Sequence, residues 1–470
     1  MRPSPLTILA VVIVTFFVVL VVVRGPIDAD YWWHLTTGEL ILERRAIPTA
    51  DPYSFAYDGP WVAHEWLGEV LIYGLASTLG YPITAGLFGI ATASSLLLPA
   101  YALDRTGVSA RALFPWIAIG TYTLASFATV RPQVLSWLFL GALIAILIGL
   151  RPRHRLRPWL VPGLFIIWAN VHGLWVVGLA VLSVYVAFTV LGRTPFAPQR
   201  QTALGIAAAS LIGTALTPAG FGGLLYPLRY LRQDDWGTAF IAEWQAANIT
   251  DPRQWGLFVL IAATLALGWR GSRGWLTPVA LLGLLAGVIA VRNQPLTAIL
   301  TLPMLAIVLD AWLRVSPRVP TASAGTRRVM EMLVAAVVVF AIVIILPVVA
   351  SGKVDRTFPV AAFDRLIAAH PSTRTLVEYD WAGYAIHRLD QTGGSVFIDG
   401  RSDMYPRSVF EDYLTMRSAE SGWEALASDY GVETIVMPPS APIAAVTPTS
   451  GWCVEYEDSQ AVMLVRCSTS

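Results

Sequence analysis

Charge is what this sequence has least of. Only 13% of its 470 residues are Asp, Glu, Lys or Arg, while 56% are hydrophobic. Soluble domains carry roughly 25% charged residues, so this composition excludes an ordinary soluble domain and indicates a polytopic membrane protein. The formal net charge of +1 identifies no partner, and nothing in the chain suggests nucleic acid. Cysteine is almost absent, with Cys453 and Cys467 alone. The chain contains no zinc-type Cys/His spacing, Walker A sequence, dinucleotide fingerprint or serine-nucleophile elbow. ATP-driven transport, redox chemistry and serine hydrolysis lose support accordingly.

Long apolar runs, by contrast, are plentiful, and several approach the ~20 residues that span a bilayer as helix. They predict spans near 7–23, 84–103, 112–128, 132–150, 159–173, 174–191, 203–219, 255–269, 274–291, 296–313 and 329–350. The first run has the basic n-region of a signal peptide, Arg2, but Val21-Val22-Val23-Arg24 is no small-residue cleavage site, so it reads as a retained anchor. The segment 66–80 is also apolar; it reads as an interfacial or re-entrant helix, because a further crossing would place Arg151–Arg157 outside. With eleven spans, fifteen arginines fall in short loops on one side and eight on the other. The richer side is cytoplasmic by the positive-inside rule, together with the N-terminus. The expected fold is therefore an α-helical polytopic membrane protein of about 11 transmembrane helices with a C-terminal extracytoplasmic α/β domain. Residues 1–351 form the membrane domain, with a first external loop over 24–83, and residues 352–470 the soluble domain.

This topology gathers unusual polar residues at one membrane face. Asp28, Asp30, His34, Asp51, His64, Glu65, Arg131, His172, Glu243 and Arg292 all lie in or beside external loops. Acids near hydrocarbon are costly and are usually retained for a task. In Asp28-Ala29-Asp30-Tyr31-Trp32-Trp33-His34, a carboxylate can take a proton from an attacking hydroxyl. Arginine, protonated histidine or a divalent metal stabilises a departing phosphate, and an Asp-x-Asp pair, Asp28 and Asp30, can ligate Mg or Mn through oxygen. Structural alternatives stand beside each of these. Asp28 or Asp30 can cap a helix beginning near Tyr31, His172 can be a satisfied helix-end histidine, and Arg131 can snorkel at the interface. Glu65 can simply complement the dipole of the interfacial helix. The eighteen tryptophans suit interfacial belts and sugar-stacking surfaces equally.

In the tail, Phe358–Ala369 and Ser408–Met416 read as helices, and Thr375–Glu378, Ser395–Ile398 and Thr434–Met437 as strands. Two final strands, Trp452–Tyr456 and Val462–Cys467, pair about residue 460, which sets Cys453 opposite Cys467. A cross-strand disulfide in an oxidising compartment and two free thiols are both open. Asp399-Gly400-Arg401 at a strand end is a site candidate, or a structural pair fixing a turn.

The order of the first span, Asp28-x-Asp30, Pro48, Asp51-Pro52-Tyr53-Ser54, Trp61 and a helix from Glu65 resembles the first external loop of GT-C-type membrane glycosyltransferases, especially bacterial aminoarabinose and protein mannosyl transferases. Trp32-Trp33-His34-Leu35-x-x-Gly38-Glu39, Trp61-x-x-His64-Glu65-Trp66, Arg131-Pro132-Gln133, Asn170-x-His172-Gly173 and Asp399-Gly400-Arg401 are similar to a largely uncharacterised bacterial group in that superfamily. The resemblance implies an enzyme of the bacterial inner membrane that moves a sugar, with inversion, from a polyprenyl-phosphate carrier to a glycan, lipid or protein acceptor. It implies Asp28 as base, Asp30 assisting or holding a metal, and His34, His64, Glu65, Arg131, His172 and Arg292 around the substrate. Two rival readings remain: a lipid or solute transporter, and a non-catalytic assembly component with a degenerate transferase fold. The cores of most spans lack ionisable groups and no internal repeat is evident, which counts against transport.

Overall fold

The computed structural model describes residues 4–150, 157–194, 198–229, 240–268, 274–315, 343, 357–402, 404–446 and 451–467. It divides into two compact units, Met1–Arg24 with Leu79–Gly352 and Gly25–Thr78 with Lys353–Ser470. The first loop, Gly25–Thr78, thus falls in the same unit as the tail.

The first unit is helical. Pro5–Arg24, Tyr81–Asp104, Pro132–Gly149 and Val291–Arg314 are, among the described residues, the helices long and apolar enough to cross a membrane. Helices also occupy Ala110–Ala125, Leu160–Val171, Trp175–Val190, Arg200–Gly213, Trp255–Gly268 and Leu276–Ile289, where sequence predicts spans, but these are shorter. The span expected over 329–350 lies outside the described residues, as do residues 151–156 of the basic run. Small residues let the helices meet closely, as apolar packing in lipid requires. A Cβ on Gly89 would lie 2.7 Å from the Phe17 carbonyl oxygen. Phe17, Phe88, Trp137, Phe165, Trp168 and Tyr185 fill the interior.

The second unit is built on a five-stranded sheet of β1 (Arg374–Val377), β2 (Ser395–Val396), β3 (Thr434–Met437), β4 (Trp452–Glu457) and β5 (Val462–Arg466), in the order β2-β1-β3-β5-β4. β1 is parallel to β2 and β3, while β5 is antiparallel to β3 and β4. The β2 edge is covered by the first loop. Ser54 bridges Val396 in parallel, with Phe55 N–H donating to Val396 O at 3.1 Å and Val396 N–H to Tyr53 O at 3.0 Å. Helix Ala29–Arg44 packs on helix Ala382–Leu389, which the sequence reading missed. Gly383 permits that contact, since a Cβ there would overlap the Ala29 carbonyl oxygen. Thr36 Oγ1 meets His387 Nδ1 at 3.1 Å in the same interface.

Cys453 and Cys467 form a disulfide with Cα atoms 5.1 Å apart. Their register differs from the expected one, since Cys453 stands opposite Val465 and Cys467 N–H donates to Gly451 O. The shift has two causes. The turn closes between Asp458 and Ala461, whose amide donates to Asp458 Oδ1 at 2.8 Å, and the ladder is irregular between Val454 and Tyr456. The bond therefore links diagonal neighbours.

Helix Trp66–Leu79 has 14 residues, about 21 Å at 1.5 Å per residue, which is short of the ~30 Å hydrocarbon layer. Gly80, at φ +77°, turns the chain directly into helix Tyr81–Asp104.

Candidate active site

Helix Ala29–Arg44 begins where the first apolar helix has ended. Asp28 is its N-cap, with Oδ1 accepting the Asp30 N–H at 3.0 Å. This is the capping geometry that satisfies an orphan amide of the first turn. The Asp30 carboxylate accepts from the Trp33 indole N–H at 3.1 Å, and both acids are half-buried. Asp28 thus does what the structural alternative requires of it. A cap still presents a carboxylate at the helix N-terminus, where negative charge is favoured.

One turn further along, His34 is buried between two carboxylates. Its Nε2 is 3.6 Å from Glu65 and its Nδ1 3.6 Å from Glu69. Glu65 also meets His64 Nε2 at 3.3 Å, so His34, His64 and Glu65 do come together. Sequence reasoning missed Glu69, which sits inside an apolar run one helical turn after Glu65. An acid in such a run was itself the signal. Its side chain is 1% exposed, and among the described residues neither carboxyl oxygen has a hydrogen-bond partner. Burial, followed by the Glu65 charge, raises its pKa well above the carboxylate range.

Asp399 and Arg401 lie in the same unit and are fully enclosed. Arg401 donates from Nε and Nη2 to the two oxygens of Asp399 at 2.8 and 2.6 Å, and from Nη1 to Asp51 at 2.7 Å. Its guanidinium is also 4.9 Å from the Tyr53 ring centre and 4.6 Å from that of Trp61. Tyr405 donates its hydroxyl to Asp399 Oδ2 at 2.7 Å. Burial alone would raise the Asp399 pKa, but Arg401 and Tyr405 more than compensate and hold it low. Asp51 also accepts the amides of Tyr53 and Ser54 at 3.0 and 3.1 Å. The charge of Arg401 is consumed inside the fold, as the structural alternative for this motif requires.

The remaining candidates belong to the membrane unit. Arg131 precedes Pro132 at the start of helix Pro132–Gly149 and meets Glu243 at 3.2 Å. Arg292 lies 4.4 Å over the Trp244 ring, and the charges of Arg131 and then Arg292 hold Glu243 below its usual range despite burial. His172 terminates helix Leu160–Val171. Its Nδ1 accepts the Leu174 N–H at 3.1 Å and lies 3.0 Å from Ser136 Oγ, which in turn accepts from the Trp168 indole at 2.8 Å. An accepting Nδ1 leaves the ring proton on Nε2. Arg131, His172, Glu243 and Arg292 thus belong to the first unit, and Asp28, Asp30, His34, Asp51, His64 and Glu65 to the second.

Among the described residues no group of three His, Cys, Asp or Glu side chains converges for a cation. No step is assigned to Mg or Mn.

No family model and no curated protein matches the sequence. Solved structures do match. The archaeal oligosaccharyltransferase AglB from Archaeoglobus fulgidus, in complex with an inhibitory peptide and a dolichol-phosphate, aligns over 98% of this chain and 74% of its own, with TM-score 0.55 and 12% identity. The Archaeoglobus fulgidus oligosaccharyltransferase tethered to an acceptor peptide containing the NVT sequon gives TM-score 0.54 at 12% identity over the same shares. The mycobacterial arabinofuranosyltransferase AftD aligns over all of this chain and 40% of its own, with TM-score 0.53 and 14% identity. The chain has a GT-C fold. At these identities the likeness concerns architecture alone, and it extends over 98% of the chain.

Proposed function

We propose that this chain is a membrane glycosyltransferase that moves a sugar from a polyprenyl-phosphate carrier to an extracytoplasmic acceptor, inverting the anomeric centre, with Asp28 as general base. The observation that carries this reading is the near full-length likeness to glycosyltransferases, one of them holding a dolichol-phosphate. Asp28 takes the proton of the acceptor hydroxyl while its oxygen attacks the anomeric carbon. The bond from that carbon to the phosphate oxygen breaks, and the polyprenyl phosphate leaves. Arg131, Arg292 and the Nε2–H of His172 are the groups we assign to the phosphate, whose negative charge grows as it departs. Asp30 assists the base, and His34, His64 and Glu65 are assigned to the sugar or acceptor. The acceptor itself is a glycan, a lipid or a protein. In this reading the tail is extracytoplasmic and the N-terminus cytoplasmic.

The test is reconstitution with polyprenyl-phosphate sugars, combined with mass spectrometry of co-purifying lipids. Asn caps helices as well as Asp, so Asp28→Asn should insert and fold normally while losing roughly 10²- to 10⁴-fold in turnover, the scale of a general base. Full turnover in that variant removes Asp28 as base. Retention of bulk phospholipid alone, despite supplied carrier, removes the transferase reading. Carrier bound without any turnover favours an assembly component.

A further inference from the structure

The loop Asp399-Gly400-Arg401 passes directly over the Asp30 carboxylate. A Cβ on Gly400 would overlap Asp30 Oδ1, and its next neighbours would be Asp30 Cγ at 3.4 Å and Trp33 Nε1 at 3.6 Å. No main-chain atom is among those three. Gly400 is also absent from the residues of positive φ, so the backbone does not demand glycine here. What a side chain would meet is the carboxylate and its indole donor.

The loop on either side is held firmly. Asp399 is clamped by Arg401 and Tyr405, and Arg401 by Asp51 and two aromatic rings. Asp30 is therefore bounded by the Trp33 indole and by a wall of main chain contributed by the tail. We propose that Gly400 is a positioning residue for Asp30, with the Asp51–Arg401–Asp399 network as the frame that keeps it in place. The tail is then part of the catalytic apparatus. This inference rests on the transferase reading given above, in which Asp30 assists the base. A carboxylate shifted by even an ångström loses much of its effect on a reaction that depends on orientation.

The test is a double-mutant cycle. Gly400→Ala should displace only the end of the Asp30 side chain, so its unfolding midpoint stays near that of the parent. Its kcat should fall roughly tenfold or more, with KM for the donor little changed. In an Asp30→Ala background the same Gly400→Ala change should have no further effect on kcat. Gly383→Ala is the contrasting control: its methyl meets the Ala29 main chain, so it should lower the unfolding midpoint. Gly400→Ala with parental kcat, beside an impaired Asp30→Ala, overturns the positioning role and leaves the transferase reading intact. An equal loss in both backgrounds, or a midpoint depressed as in Gly383→Ala, shows a packing role and also overturns it. Full activity in Asp30→Ala removes instead the assisting role of Asp30 on which the inference depends.

Discussion

The Arg401 guanidinium donates to Asp51, 350 positions earlier in the chain, at 2.7 Å. Neither side chain is more than 1% exposed. An ion pair so enclosed contributes little over an apolar replacement, but breaking it strands charge. Arg401→Met leaves Asp51 and Asp399 buried without their cation, which costs about 3–5 kcal/mol. The thermal midpoint of the detergent-solubilised protein should fall by roughly 10 °C. Adding Asp51→Asn and Asp399→Asn should recover part of the loss, and an unchanged midpoint in Arg401→Met would refute the arrangement.

Glu69 calls for a different experiment. Its folded-state pKa is raised by burial and by Glu65, so the folded chain binds the proton more tightly than the unfolded one. Stability from this group is complete below the ordinary carboxylate range and is lost as pH rises through the raised value. Glu69→Gln replaces a neutral acid by a neutral amide. The midpoint should barely change in mildly acid buffer, and the alkaline-side decline should become shallower. A parental pH profile in the variant would show that Glu69 is not the titrating group. The ionisable groups gathered around it are His34, Glu65 and His64.

His387 has the opposite sign. Burial, with the Arg388 charge, lowers its pKa to about 4, so its folded-state contribution is present above pH 6.5 and lost as pH falls toward about 4. At 1.36 kcal/mol per unit this is on the order of 3 kcal/mol. His387→Gln should flatten the acid limb of the stability profile. Proton NMR or a midpoint-versus-pH series reads this directly, and an acid limb identical to the parent's would contradict it.

The Cys453–Cys467 bond closes a loop of sequence separation 14, for which loop-closure entropy gives about 3 kcal/mol. Replacing both cysteines by serine should loosen the β4–β5 hairpin first. Hydrogen exchange at Val462–Arg466 would show it, and unaltered protection there would mean that the sheet alone holds the hairpin. Maleimide should label neither cysteine before reductant is added.

Local pattern made much of this molecule legible. Thr434–Met437 is a strand at the predicted residues because a short β-branched run bounded by turns has few other outcomes. Helix Ala382–Leu389 was missed, and it carries a glycine, Gly383, at its start. The reason for that glycine is the Ala29 main chain, invisible from neighbouring sequence. The same holds for the site. Asp28, His34 and Glu65 could be chosen as polar residues in an apolar setting, whereas the pairing of Arg131 with Glu243 emerges only in the fold. The association of residues 25–78 with the tail, and hence the meeting of Asp30 with Gly400, depends on contacts hundreds of residues apart that no periodicity encodes.

That association has a consequence for biogenesis. Ser54 bridges Val396, and Asp51 waits for an arginine 350 residues downstream. At ribosomal rates of roughly 5–20 residues per second, the early loop stays without its sheet for about 20–70 s. During that interval Asp51 is an uncompensated acid and the Tyr53–Phe55 backbone an unpaired edge, open to misassociation. Premature termination ahead of residue 401 would therefore leave not only a missing tail but also an orphaned first loop, and quality control has a defined segment to recognise.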